Sequence, residues 1–261
     1  MTVLLHELKR SKISLIVWTS ALSFMLAVCI FIYPEMSSQM SEMNEMFANM
    51  GNFTAAFGMD QLNFGEFMGY FGAECGNVLG MGGAFFAALA GIAALAKEEK
   101  DRTAEFLLTH PISRRRIVTE KLLSVAIQIT LLNAVVLIVT LLSTVAIGEN
   151  PDLGKMLLSF LSYYLMQLEV GAVTFGISAF IKSGSLGIGL GFAFGSYALN
   201  IVSNLMEELE FLKFITPFGY TDSSYVITEG SLEFKYLLTG VVITALAIYL
   251  AFYKYEKKDI S

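Results

Sequence analysis

KEEKDRTAEFLLTHPISRRRIVTEK, residues 97–121, is a polar interval between two apolar runs, each long enough to cross a bilayer. It holds seven of the chain's 17 Lys and Arg residues. A basic excess of this kind between hydrophobic spans marks a cytoplasmic loop. The interval is also patterned. It opens with mixed charges (Lys97, Glu98, Glu99, Lys100, Asp101, Arg102), continues through a short amphipathic core at 103–110, meets Pro111, and ends in the triplet Arg114, Arg115, Arg116. A loop that only joined two helices would need less, so a partner is expected there.

Working outward, the composition is that of a membrane protein. Of 261 residues, 55% are hydrophobic and 15% charged, and the mean hydropathy is +0.64. Soluble domains carry about 25% charge. No ten-residue alternation of a membrane barrel is present, so the expected fold is an all-α integral membrane protein of one domain. Six transmembrane helices are expected at about 13–33, 74–96, 122–147, 156–181, 185–202 and 234–253.

Leu4, Leu5 and Leu8 fall at helical spacing beside Glu7, Lys9, Arg10 and Lys12, which predicts an N-terminal interfacial helix before span 1. The first apolar run is too long for a signal-peptide core and lacks a small-residue cleavage site, so it is expected to stay and to be closed by Pro34. Residues 35–73 contain five acidic residues and no Lys or Arg. Fourteen of the 17 basic residues lie in the N-terminal segment, the 97–121 interval, the Lys182 turn and the C-terminal tail. Only Lys155, Lys213 and Lys235 fall on the other side, which places both termini in the cytoplasm. Residues 204–233 are then outside, with an apolar stretch broken at Pro217 that is expected to dip into the outer leaflet.

Several buried or patterned residues invite chemistry. Glu169 lies near the middle of span 4, where a charged carboxylate costs about 2.5–3.5 kcal/mol on insertion scales. It is either a substrate or proton contact or a protonated or hydrogen-bonded structural group beside Gln167. Gln128 and Asn133 are buried polar points of span 3. Gly72, Gly76 and Gly80, and again Gly187, Gly191 and Gly195, recur at four-residue spacing and allow close helix approach in lipid.

Met36, Met40, Met43, Met46 and Met50 form a stripe that reads either as a soft-metal site or as a flexible apolar face, and no Cys or His accompanies it. Cys29 and Cys75 are expected to be free thiols. No GxxxxGK[ST], H-E-x-x-H, cysteine cluster or nucleophile elbow occurs, and His6 and His110 are far apart in sequence. No catalytic, metal or cofactor residue is therefore expected in this chain, and no nucleic-acid partner.

Residues 103–114, TAEFLLTHPISR, with Ile117 and Lys121 following, resemble the cytoplasmic loop of type-2 ATP-binding-cassette permeases. Residues 215–220, ITPFGY, look like that family's outer re-entrant element, and residues 255–260, YEKKDI, like its usual tail. Arg102 departs from the pattern, where the family often has glycine. The resemblance implies a coupling helix between spans 2 and 3 that docks on a separate ATPase subunit. The contact residues would be Glu98, Glu99, Arg102, Thr103, Glu105, Phe106, Leu107, Leu108, His110, Pro111 and Arg114. It also implies two ATPase copies that bind ATP and Mg, a second permease chain, identical or related, and export across a bacterial or archaeal plasma membrane.

For the triplet Arg114, Arg115 and Arg116, topology enforcement and contact with anionic headgroups stand beside partner contact. Two rival functions are a membrane sensor or immunity protein that binds a peptide through its outer segments, and an ion- or copper-linked permease using Glu169 or the Met stripe.

Overall fold

A chain without water around it satisfies its backbone by forming helices, and the computed structural model is helical throughout its regular parts. It describes residues 2–37, 56, 62–100, 112–181 and 186–257, and no strand occurs among them. The elements are α1 (Thr2–Ser37), α2 (Phe67–Cys75), a π-helical segment (Gly76–Gly82), α3 (Gly83–Lys100), α4 (Arg114–Ala146), α5 (Leu153–Ser178), α6 (Leu186–Leu205), a 3-10 helix (Glu207–Phe214), α7 (Ser223–Glu229) and α8 (Phe234–Glu256). Among the described residues six helices are long and apolar enough to cross a membrane: α1, α2–α3 taken together, α4, α5, α6 and α8.

The helices differ from the apolar runs at their ends. The expected interfacial helix is not a separate element, because α1 runs unbroken from Thr2 to Ser37 and carries Pro34 inside its last turn. Nothing in residues 2–12 is a helix breaker, and Val3 is already buried against the bundle. Span 2 starts at Phe67 rather than near residue 74, and α4 starts at Arg114 rather than near 122. Ser113 caps α4 by accepting from the Arg116 amide at 3.4 Å. Hydropathy marks what lies in lipid, whereas the helix ends where its caps are.

The bundle is built around two spans. In α2–α3 and in α5, 61% of the central window is buried, against 22% in α1, 22% in α6 and 17% in α8. α3 packs most extensively on α5, and α1 on α4. The α3–α5 crossing is close because Gly91 has no side chain: a Cβ there would collide with the Gly171 carbonyl oxygen and the Thr174 hydroxyl. Large apolar side chains such as Ile13, Phe24, Val145, Phe194 and Val242 point outward, as lipid-facing positions require.

Three spans are joined inside the bundle by a chain of amide hydrogen bonds. Asn133 of α4 donates to Gln167 Oε1 of α5 at 2.6 Å and to the Ile129 carbonyl at 2.9 Å. Gln167 in turn donates to the Leu79 carbonyl in the π-helical segment at 3.1 Å. This ladder joins three spans at the point where the helix of Gly76–Gly82 widens.

Candidate functional site

Two clusters tie the spans together, one at each end of the bundle. At the basic end, the first two turns of α4 form the stem by which residues 97–121 return to the bundle. Lys121 is 1% exposed and donates to Glu7 Oε1 of α1 at 3.0 Å and to the Ala94 carbonyl of α3 at 2.6 Å. A lysine is buried this completely only when paired. Glu120 accepts from the Leu4 amide at 3.0 Å and from Arg116 Nε at 2.9 Å.

Arg114 donates to the Glu256 carbonyl at 2.9 Å at the C-terminal end of α8, and Arg115 pairs with the Glu256 carboxylate. The end carbonyls of a helix are unsatisfied and carry partial negative charge, so a guanidinium there is favourable. One stem therefore grips α1, α3 and α8.

At the far end, residues 216–221 are consecutively buried. Thr216 donates to the Ser196 carbonyl of α6 at 2.8 Å, and Tyr220 donates to Glu169 Oε2 of α5 at 2.9 Å. Gly240 of α8 lies so close that a Cβ would collide with the Glu169 carboxylate. Tyr163 of α5 donates to the Thr221 carbonyl at 3.1 Å, and its oxygen is 2.8 Å from Ser223 Oγ. Ser223 donates to the Gly72 carbonyl of α2 at 2.9 Å. Asp222 caps α7 through the amides of Ser224 and Tyr225, and Gly230 closes it at φ +62°.

The sequence-predicted residues distribute as follows. Glu98 and Glu99 lie on the last turn of α3, which extends to Lys100. Arg102, Thr103, Glu105, Phe106, Leu107, Leu108, His110 and Pro111 lie outside the described residues, as do Met40, Met43, Met46, Met50 and Lys182. Arg114 is spoken for by α8. Gly76 and Gly80 lie against the ring of Tyr163, and Gly72 against Ile227. Gly191 and Gly195, by contrast, have nothing among the described residues within 4 Å of where a Cβ would be; Gly189, two residues before, packs on Ile92 and Ala88.

Cys29 and Cys75 are both free thiols. No group of three His, Cys, Asp or Glu side chains suited to a metal ion occurs among the described residues. Sequence reasoning missed Glu7 and Ala94 as the partners of Lys121, since each is remote in the chain and neither belongs to a motif.

A six-helix bundle with a patterned basic loop is the frame in which a family comparison decides. The model of the ABC-2 family transporter protein matches residues 1–260. The chain belongs to the ABC-2 transporter family. No curated protein matches it. This ABC-2 permease is the membrane-spanning subunit of a transporter, a multi-pass membrane protein whose spans are the six long apolar helices.

Proposed function

We propose that this ABC-2 permease exports an amphiphilic or hydrophobic cargo, such as a lipid, peptide or drug, across a bacterial or archaeal plasma membrane. ATP hydrolysis, with Mg, takes place on two copies of a separate ATPase subunit. The basic end faces the cytoplasm, because 14 of the 17 Lys and Arg residues are assigned there by the positive-inside bias.

The loop at 97–111 docks in a groove of the ATPase. Phe106, Leu107 and Leu108 act as apolar anchors, and Glu98, Glu99, Arg102 and Glu105 set orientation by charge. Arg114 acts inside the permease instead, holding the end of α8.

The observation that carries the coupling is the stem. A displacement of the loop pulls on Arg114, Glu120 and Lys121 together, and so on α1, α3 and α8 at once. A second permease chain, identical or related, is supported by the open face of Gly191 and Gly195. Glu169 is read as a structural acceptor for Tyr220 rather than as a cargo contact.

The test is co-purification in mild detergent of the tagged permease and of its Leu107→Asp, Leu108→Asp variant. An ATPase subunit that accompanies the first and is lost from the second supports the docking site. A well-folded permease that brings down no ATPase in either form overturns the transporter reading and returns attention to the peptide-sensor alternative.

A further inference from the structure

Between α1, α3 and α4 at the basic end lies a cavity of about 280 Å³, near the lower limit of the roughly 300–1,000 Å³ usual for small-molecule sites. An apolar cavity of about 150 Å³ already takes up benzene. Phe86, Leu89, Ala90 and Ala93 of α3, Val125 of α4 and Leu186 of α6 supply the apolar wall here.

The polar groups of the lining divide into those already satisfied and one that is not. Lys121 is held by Glu7 and by the Ala94 carbonyl, and Arg10 also has a partner, so the charged groups are committed. The Ser11 hydroxyl donates to the carbonyls of Glu7 and Leu8. Ser14 is exposed, so water can serve its hydroxyl. Gln128 is different. Its amide nitrogen donates to the Ser124 carbonyl and to Ser124 Oγ, both at 3.1 Å. A carbonyl only accepts, so the first of these bonds fixes which end of the amide is nitrogen. Gln128 lines the cavity and is only 6% exposed, and its Oε1 accepts from none of the described residues. Buried acceptors of this kind are normally bonded.

We propose that this cavity binds a neutral, largely apolar small molecule carrying one N–H or O–H donor, and that Gln128 Oε1 accepts from that donor. A charged ligand would find the charges of the lining already paired with one another, and its own desolvation would go uncompensated. A ligand without a donor would fill the apolar space but leave a buried acceptor unmade. The site goes beyond the transporter reading and needs no ATPase. It nevertheless touches the same element, because Ala94 and Lys121 line the cavity and also fix the loop stem to α3 and α1.

The test is fluorine NMR on the purified full-length permease in a neutral detergent, without an ATPase. The protein is titrated separately with 4-(trifluoromethyl)benzyl alcohol, its methyl ether and 4-(trifluoromethyl)benzoate. Uptake by micelles rises without saturating, which separates it from the site. Saturable binding is expected for the alcohol, binding about tenfold weaker for the ether, which lacks the donor, and none for the benzoate. Gln128→Leu should bring the alcohol down to the level of the ether. Ala90→Phe, which fills the cavity from α3, should abolish binding of both, with folding checked by thermal unfolding.

An ether that binds the parent as tightly as the alcohol overturns the role of Gln128, as does an alcohol preference that survives in Gln128→Leu. Benzoate binding as tightly as the alcohol overturns the neutral class. No saturable binding to the folded parent, or binding unchanged in a folded Ala90→Phe, removes the site from this cavity. If Ala90→Phe does not fold, the comparison of alcohol and ether in the parent and in Gln128→Leu still decides. None of these outcomes touches the co-purification result, so the two proposals fail separately.

Discussion

The two ends of the bundle are held by different chemistry. At the basic end the ties between spans involve charged side chains: Lys121 with Glu7, Glu120 with the Leu4 amide, and Arg115 with Glu256. At the far end they are mostly hydroxyl groups on carbonyls and carboxylates, set among glycines that permit close approach: Tyr163, Thr216, Tyr220 and Ser223, with Gly72, Gly76 and Gly240, and the one ion pair between elements there among the described residues, Lys235 with Glu210, is exposed. Ion pairs act over several ångströms and can be re-formed in a shifted position. A tyrosine hydroxyl wedged against a glycine face has one position, because interiors are close-packed. The difference teaches which end can move: the stem is suited to transmit a displacement, and the segment at 216–221 to stay fixed.

The largest expected effect is on the ionic end. Lys121→Met leaves the Glu7 carboxylate and the Ala94 carbonyl without their donor, and breaking a buried pair from one side costs about 3–5 kcal/mol. Removing both members by Glu7→Gln with Lys121→Met should recover a large part of that loss, since the uncompensated charge is gone. Thermal unfolding in detergent reads both. A single variant as stable as the parent would break the comparison by showing that Lys121 is not the tie.

A smaller effect is expected at the far end. Tyr220→Phe removes the donor to Glu169 and should cost about 1–3 kcal/mol, the penalty of an unmade buried hydrogen bond. Gly240→Val presses on the same carboxylate by steric overlap, with an overpacking cost of about 1–3 kcal/mol. If the far end is the fixed one, both variants lower stability while ATPase co-purification is unchanged. Loss of the ATPase from Tyr220→Phe at full stability would show that this end communicates with the loop, and the contrast between ends would fall.

The smallest effect concerns pH. Glu210, on the 3-10 helix, accepts from the Tyr236 hydroxyl at 2.6 Å and lies 3.4 Å from the Lys235 ammonium, and these hold its carboxyl below the usual range. A folded value below the unfolded one means that its contribution is present above the ordinary carboxylate range. The contribution is lost as pH falls below the ordinary carboxylate range and through the folded value. Glu210 is half exposed at the surface, so the change is modest. The difference in Tm between the parent and Tyr236→Phe should shrink as pH is lowered from about 6 to about 3. A constant difference would assign Tyr236 to packing alone, through its edge contact with Phe214.

Much of the architecture was legible in the residues. Runs of apolar residues longer than a bilayer requires, and a basic bias that alternates between loops, are direct consequences of lipid as a solvent. They were enough to place six spans and the 97–121 interval. Caps were less legible: Ser113 and Asp152 begin α4 and α5 outside the apolar runs, so the helices extend past the hydropathy limits. The glycine repeats show the same division. Gly72, Gly76 and Gly80 meet Tyr163 and Ile227, while Gly191 and Gly195, alike in spacing, meet nothing among the described residues.

What the sequence determined by itself is thus the helical membrane class, the number of spans, the patterned loop and the family it points to. These depend on composition and spacing along the chain, which are one-dimensional properties. Only the tertiary structure decided that Lys121 answers to Glu7 across 114 residues, that Tyr220 reaches Glu169, and that Arg114 closes α8. Those pairings depend on which helix faces meet. Spans that are apolar nearly all round carry no moment to announce a face, so the choice is made by close packing and by the need to satisfy each buried polar group.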